Sequence, residues 1–437
     1  MASRPPRAPG PGATAPADIG APPAAESPDG PDLHSGTPWW LLTGGLGLVV
    51  PPLRADLRCQ VAVIGSGITG ALVADSLARA GVRVAVLDRA HLTTGSTLAS
   101  TALLMYDTDV PLHRLSRLVG RERAERVFRL GVEAIAELER AAADLDCPFH
   151  RRPSIYFCAC PESVPALRRE CAARAEAGLP VRWLSPDELG GSMDLAGAGA
   201  IRSEIAAETD PYRLSHALLR RAMRAGARVH DRTAVSRLVE RARGVTLHTE
   251  RGATVVADYV VDARGYEAAS ELAAGMVDLR STYALVSEPT APRAGAWADR
   301  ALLWEFADPY LYARWTGDRV LLGGEDVPFA DAPARDALIG RKTRDLAAKF
   351  ARRMPSLAIE PAFAWTGTFA TTPDGLGYIG PQPGRPRVLF ALGFGGNGIT
   401  FAALAARFIT SLVTGRPDED SRIFAFDRAR RADAGGW

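Results

Sequence analysis

Six consecutive residues, Gly65-Ser66-Gly67-Ile68-Thr69-Gly70, constrain this chain more than any other part of it. They fit Gly-x-Gly-x-x-Gly, a pattern that gains meaning only between a strand and a helix. Residues 59–64 read Cys-Gln-Val-Ala-Val-Ile, a buried strand. Residues 68–80 then read as a helix, with Gly81 where a helix ends in a left-handed residue. A second apolar strand, 82–87, runs up to Asp88, so the unit is β-α-β. Gly65 permits the tight turn, Gly67 lets a pyrophosphate approach the backbone, and Gly70 lets helix and strand pack closely. The helix N–H groups then meet the pyrophosphate at the positive end of the dipole. A carboxylate at Asp88 accepts from ribose hydroxyls and repels a 2′-phosphate. The competing reading is a glycine-rich turn beside a solvated aspartate. It does not require strand, glycines, helix, strand and acid all in register.

At 437 residues the chain exceeds one ordinary core, so two domains are expected. A formal net charge of +2 gives no reason to expect nucleic acid or an anionic membrane as partner. Residues 1–38 hold ten prolines and are expected to form a disordered tail. Residues 39–50 are apolar but broken by Gly44, Gly45 and Gly47, and stopped by Pro51 and Pro52. A membrane span needs about 20 residues, so this segment is expected to be a lead-in packed on the surface, with membrane association as the alternative. The five cysteines, Cys59, Cys147, Cys158, Cys160 and Cys171, form no Cys-x-x-Cys pair. They read as free thiols in a reducing cytoplasm, and no metal site is expected. Only two lysines occur, Lys342 and Lys349.

Downstream, 122–145 has the periodicity of a long helix, and Asp210-Pro211 starts another by N-cap and N1 proline. Strands are expected at 228–230, 244–249, 254–257 and 259–262. A strand-rich stretch covers 282–324, including 310–315 and 319–322 joined by a turn at Gly317-Asp318. The last helix is expected at 399–414.

Three further segments carry a family resemblance. Residues 91–104 read His-Leu-Thr-Thr-Gly-Ser-Thr-Leu-Ala-Ser-Thr-Ala-Leu-Leu, and 257–267 read Ala-Asp-Tyr-Val-Val-Asp-Ala-Arg-Gly-Tyr-Glu. Residues 374–381 read Asp-Gly-Leu-Gly-Tyr-Ile-Gly-Pro, and 392–401 Leu-Gly-Phe-Gly-Gly-Asn-Gly-Ile-Thr-Phe. With the glycine motif, the chain resembles the D-amino-acid oxidase and glycine/sarcosine oxidase family of FAD-dependent oxidoreductases from about 38 to 428. Within it, the nearest likeness is to the γ-glutamylputrescine oxidoreductase-like branch. The resemblance implies an α/β fold, a Rossmann-type βαβ FAD-binding domain interleaved with an antiparallel-sheet substrate domain. The expected boundaries are 39–145, 206–280 and 361–437 for the FAD domain, and 146–205 and 281–360 for the substrate domain. It further implies that the loop Gly95, Ser96, Thr97, Ser100, Thr101, Ala102 and Leu103 lines the pyrophosphate and flavin. Val235 would contact adenine, Gly265 the pyrophosphate, and Arg89 lies beside Asp88 among the cofactor-binding positions. Gly395, Gly396, Asn397, Gly398, Ile399 and Thr400 would place N–H groups at the flavin pyrimidine edge, where negative charge develops on reduction.

Three departures from the family pattern refine these expectations. Where relatives with covalent flavin carry a cysteine shortly before the segment matching 371–374, this chain has Gly367, Thr368 and Phe369, so FAD is expected to be noncovalent. Where sarcosine-type relatives carry a lysine and an arginine for the substrate carboxylate, this chain has Thr400 and Ala102. Strand 319–325 lacks the lysine that promotes reaction with oxygen, so the acceptor is O2 or, more in keeping with that loss, a quinone or other oxidant. The expected substrate is a small-molecule amine or amino acid, oxidised at its C–N bond by hydride transfer to flavin N5 and then hydrolysed as the imine. Tyr310, Tyr312 and Arg314 alternate on one strand face as catalytic-site candidates, with Arg314 offered to a carboxylate. Asp107 and Glu325 are weaker candidates. Oxidation of a C–O bond, or a noncatalytic FAD-binding module, are the alternatives.

Overall fold

The structure, a computed structural model, describes residues 32–272, 275–292 and 296–428. A six-stranded sheet runs in the order Tyr378–Gln382, Arg385–Leu392, Tyr259–Asp262, Val61–Ile64, Val84–Leu87, Arg228–His230. The last five are parallel, and Tyr378–Gln382 adds antiparallel at the edge. Strand alternation divides its two faces. Val61, Val63, Val84 and Val86 pack under helices Ile68–Arg79, Pro211–Arg224 and Gly398–Val413. Ala62, Ile64, Ala85 and Leu87 pack instead on a four-stranded sheet built from Leu57–Arg58, Val235–Arg241, Gly244–Thr249 and Thr254–Ala257. A parallel sheet covered on both faces needs apolar residues at every position, which is why these strands read as unbroken apolar runs.

The second body is a ten-stranded, largely antiparallel sheet. Its central strands are Pro361–Thr371, Asp278–Ser287, Arg319–Val327, Leu311–Thr316, Leu302–Glu305, Phe149–Cys158 and Gly199–Thr209. One face, with Leu311, Ala313, Trp315 and Leu322, buries Leu346 and Phe350 of helix Ile339–Arg353. The other face meets Trp40, Leu98 and Tyr212 from the first body. Helix Gly398–Val413 is apolar enough to pass for a membrane span, yet most of its side chains are buried against the helices around it.

The chain therefore alternates between two bodies, as the resemblance implies, but several expected boundaries move. Strand Pro361–Thr371, expected in the FAD domain, pairs along its length with Asp278–Ser287 in the ten-stranded sheet. Asp278–Arg280 likewise belongs to that sheet, and Leu103–Met105 crosses to its far edge. The tail expectation also needs correction. Residues 1–31 lie outside the described residues, but His34–Gly36 forms an edge strand on Pro361–Thr371. Buried Arg335 fixes it by donating to Asp32 O (2.8 Å). The lead-in is corrected too, because Trp40 is 3% exposed and its indole donates to Ser100 O (2.6 Å).

Candidate functional site

Three of the glycine-rich segments singled out in the sequence, and Asp88, lie at the carboxyl ends of parallel strands. Gly65 follows Val61–Ile64, Asp88 follows Val84–Leu87, Gly265 follows Tyr259–Asp262, and Gly395 follows Arg385–Leu392. In open α/β sheets ligands bind at this edge. The three fingerprint glycines are each sterically required. Gly65 has φ +100°, and a Cβ there would sit 2.6 Å from Ala263 O. A Cβ on Gly67 would lie 2.9 Å from Thr97 Oγ1, and one on Gly70 only 2.0 Å from Gly65 O. Gly70 thus serves the turn itself as well as helix–strand packing.

Asp88 holds this turn together. Its Oδ2 accepts from the Ser66 N–H (2.8 Å), and its Oδ1 from the Ala90 N–H (3.0 Å). The backbone of Asp88 binds His230 O and Thr233 N–H, which brings the stretch leading to Val235 alongside. Arg89 pairs with Glu267 on the turn that begins at Gly265 (2.9 Å). The loop after Gly95 closes over the fingerprint: Thr97 Oγ1 accepts from the Ile68 N–H (3.0 Å). Ser100 Oγ accepts from the Ala102 N–H (3.2 Å), and Ala102 itself is left-handed with φ +52°. Thr400 donates to Met105 O (2.9 Å), tying the last helix to the same loop. Its hydroxyl is therefore committed to structure, and Ile399 and Asn397 are buried beside it.

These residues fit an FAD. Ser96 Oγ is buried in the loop with no hydrogen-bond partner in the protein, and Gly95 and Gly265 have open space where a Cβ would be. At the last helix, the Gly396 N–H donates to both oxygens of Asp109 (3.1 Å each). The glycine-rich run thus grips carboxylate oxygens, the type of acceptor a flavin carbonyl also presents.

Asp109 begins a cluster of which the sequence pointed only to Tyr310 and Tyr312. Its side chain is accessible to solvent, although the protein packed around it still desolvates the carboxyl. Burial lifts its carboxyl to about 6, with Asp326 adding to the rise. Tyr266, under the same influence of Asp109, donates to Gly395 O (3.2 Å). Tyr310 and Tyr312 stand with ring centroids 5.8 Å apart near Asp326, and burial raises both phenols. Tyr312 lies flat over Gly323, where a Cβ would meet its hydroxyl at 2.2 Å. It also rests against Thr101 and Thr282. Arg280 completes the group: it makes no ion pair within 4 Å among the described residues, its Nε is buried without a hydrogen bond, and its charge acts on both Asp109 and Asp326.

Arg314 does not join them. It shares the strand face of Tyr312 but is 3% exposed, donates to Thr209 O (2.9 Å), pairs with Glu208 (3.5 Å) and lies over Trp40. Its guanidinium is committed to Glu208 and Thr209 O within the ten-stranded sheet and to the Trp40 ring from the first body, which argues against Arg314 as a carboxylate clamp. Asp107 is buried in an ion pair with Arg174, and Glu325 pairs with Lys342 (3.3 Å) and Lys349 (3.4 Å). Both lysines ride on helix Ile339–Arg353, on the sheet face opposite Tyr312.

Known proteins resemble this chain over most of its length. The glycine oxidase of Geobacillus kaustophilus is 27% identical over 369 residues, covering 82% of this chain and 93% of that one. The γ-glutamylputrescine oxidoreductase of Escherichia coli is 24% identical over 387 residues, covering 83% and 85%. Among solved structures, L-proline dehydrogenase from P. horikoshii superposes with a TM-score of 0.71 at 19% identity, covering 87% of this chain and 99% of that one. The Geobacillus glycine oxidase structure superposes at 0.69 with 23% identity, covering 83% and 96%. Residues 60–412 match the family described as FAD dependent oxidoreductase, and the chain belongs to that family.

Proposed function

We propose that this FAD-dependent oxidoreductase oxidises the C–N bond of an amine or amino acid whose other end is a carboxylate. The observation that carries this reading is the unpaired Arg280 beside Asp109 and Asp326, next to the glycine-rich run at Gly396. A guanidinium complements a carboxylate in two-point fashion, and an anionic aspartate complements an ammonium. Tyr310, Tyr312 and Tyr266 supply hydroxyls and apolar walls that exclude water around the reacting carbon. The turn at Gly65–Gly70 with Asp88, the loop Gly95–Leu103, and Gly395–Thr400 would hold FAD. When bound, FAD accepts a hydride from the amine-bearing carbon. The chain's own residues bind and orient the substrate, and Asp109 is placed to receive a proton from its ammonium as the amine becomes neutral. The resulting imine hydrolyses in water.

Anaerobic flavin bleaching against a panel of amines, amino acids, 2-hydroxy acids and glycerol phosphate tests this reading. Bleaching by a carboxylate-bearing amine, with KM raised roughly tenfold or more in Arg280→Met, is expected. Bleaching by hydroxy acids alone would transfer the reaction to a C–O bond. No bleaching by any member of the panel would leave a binding module. With both lysines committed to Glu305 and Glu325, we assign the reoxidant to a quinone or similar acceptor in preference to O2. All five cysteines are free thiols, which suits a reducing cytoplasm.

A further inference from the structure

The segment from Trp39 to Val50 carries a surface that the proposed reaction does not use. Beyond buried Trp40, Leu41 is 47% exposed, Leu42 51%, Leu46 97% and Val49 85%. Exposed leucines scattered singly are ordinary, but four large aliphatic side chains within nine residues are a patch. The base beneath them is fixed. The Leu48 N–H donates to His216 Nδ1 (3.1 Å), and a Cβ on Gly44 or Gly47 would strike Tyr212 at 2.4 or 2.5 Å. The exposed aliphatic side chains therefore stand on an anchored backbone. Tyr212 and His216 lie on one face of helix Pro211–Arg224, and Arg220 and Met223 continue that face. Met223 is 38% exposed, and Arg220 is close enough to add to the burial that lowers the His216 imidazole. Neither Arg220 nor Arg224 makes an ion pair among the described residues, and both are exposed.

Aliphatic tips edged by unpaired cations are the composition of an interfacial membrane-binding segment facing anionic headgroups. Protein interfaces instead enrich aromatic residues at their centre. We propose that this face docks the enzyme on an anionic lipid bilayer, with Leu41, Leu42, Leu46 and Val49 entering the acyl boundary and Arg220 and Arg224 meeting phosphates. The small net charge does not oppose this, because headgroup attraction fades within a Debye length and depends on local charge. Trp40 links this segment by one hydrogen bond to the loop expected to line FAD, so docking would bring the cofactor loop near the membrane surface.

The test is co-sedimentation of the full-length holoenzyme with vesicles of phosphatidylcholine, with and without phosphatidylglycerol. Wild-type protein is expected to bind the anionic vesicles. The double variant Leu46→Glu/Val49→Glu should lose roughly an order of magnitude in bound fraction. Arg220→Glu/Arg224→Glu should lose the preference for phosphatidylglycerol, about fivefold or more per arginine. Flavin content and thermal midpoint check that each variant is folded. Wild-type protein that stays unbound on both vesicles, or Leu46→Glu/Val49→Glu that binds equally, overturns the proposal. So does a wild-type dimer that this same variant converts to monomer, since the patch would then cover a second copy.

Discussion

A carboxylate held against a backbone N–H in a confined opening, as Asp109 is at Gly396, has two opposing pulls on its proton. Desolvation and Asp326 raise its pKa, the N–H and Arg280 lower it, and the balance lies at about 6. Below that pH the group is neutral, and above it anionic. If it holds the substrate ammonium, binding tightens as pH rises through about 6, and Asp109→Asn removes that limb. Reductive titration under anaerobic conditions across pH measures it, and a limb that survives the substitution belongs to another group. Asp88 braces Ser66 and Ala90, and its expected contact with the ribose has a direct test. Asp88→Ala should weaken FAD binding by about 1.5–3 kcal/mol, read as the dissociation constant from flavin fluorescence quenching. An unchanged constant would mean that the carboxylate serves the turn alone. None of the five cysteines lies in the segments gathered at Gly65, Gly95, Gly265 or Gly395. Heat or acid should therefore release intact FAD into the supernatant, whereas flavin that precipitates with the protein would reveal a covalent link.

At the scale of elements, parity along one strand sets which side chains share a face with the lysines. Leu311, Ala313 and Trp315 face helix Ile339–Arg353, while Tyr312 and Arg314 face the other way, Tyr312 against Thr101 of the first body and Arg314 against Glu208 and Thr209 O. Both lysines sit on that helix, so the sheet separates them from Tyr312. Lys349 Nζ lies 3.1 Å from Glu305, which Arg353 also holds at 2.8 Å. Photoreduced enzyme should reoxidise slowly in air and much faster with a quinone or dye, as stopped-flow absorbance would record. Lys349→Met should leave both rates unchanged and lower stability by about 1–3 kcal/mol in chemical denaturation, since buried Glu305 loses one of two partners. Faster oxygen reactivity in the wild type, lost in Lys349→Met, would reverse this assignment.

For the whole molecule, the edges of the ten-stranded sheet matter because unpaired strands invite association. His34–Gly36 covers one edge, and Arg335, wholly buried, donates to Asp32 O and Thr368 Oγ1. Removing residues up to 38 should uncover that edge, take Asp32 from a guanidinium left with Asp336 and Thr368, and produce concentration-dependent association with a lower thermal midpoint. Light scattering and calorimetry measure both, and a truncated protein that stays monomeric and equally stable would show the strand to be dispensable.

Much of the first body was legible because its signals are local. The glycine turn, the Asp210 cap with Pro211, and the short strands 228–230, 244–249, 254–257 and 259–262 depend on neighbours a few residues away, and the structure has them where they were expected. Strand Gly199–Thr209 escaped notice, since its Gly, Ala and Glu residues are weak strand formers placed by pairing on both sides. Of the cluster around Asp109, only the two tyrosines of one strand region were expected. Asp109, Tyr266, Arg280, Tyr310 and Asp326 come from five separated segments, loops as well as strands, which only the packing of the whole chain brings together. Arg314 shows the converse, for alternation correctly set its face but could not foresee Glu208 and Thr209 O waiting there. The sequence by itself determined the cofactor unit, because turn sterics and helix dipoles act over a few residues. Tertiary structure alone decided which charges remain unpaired, because pairing depends on which distant segments the two sheets bring within reach.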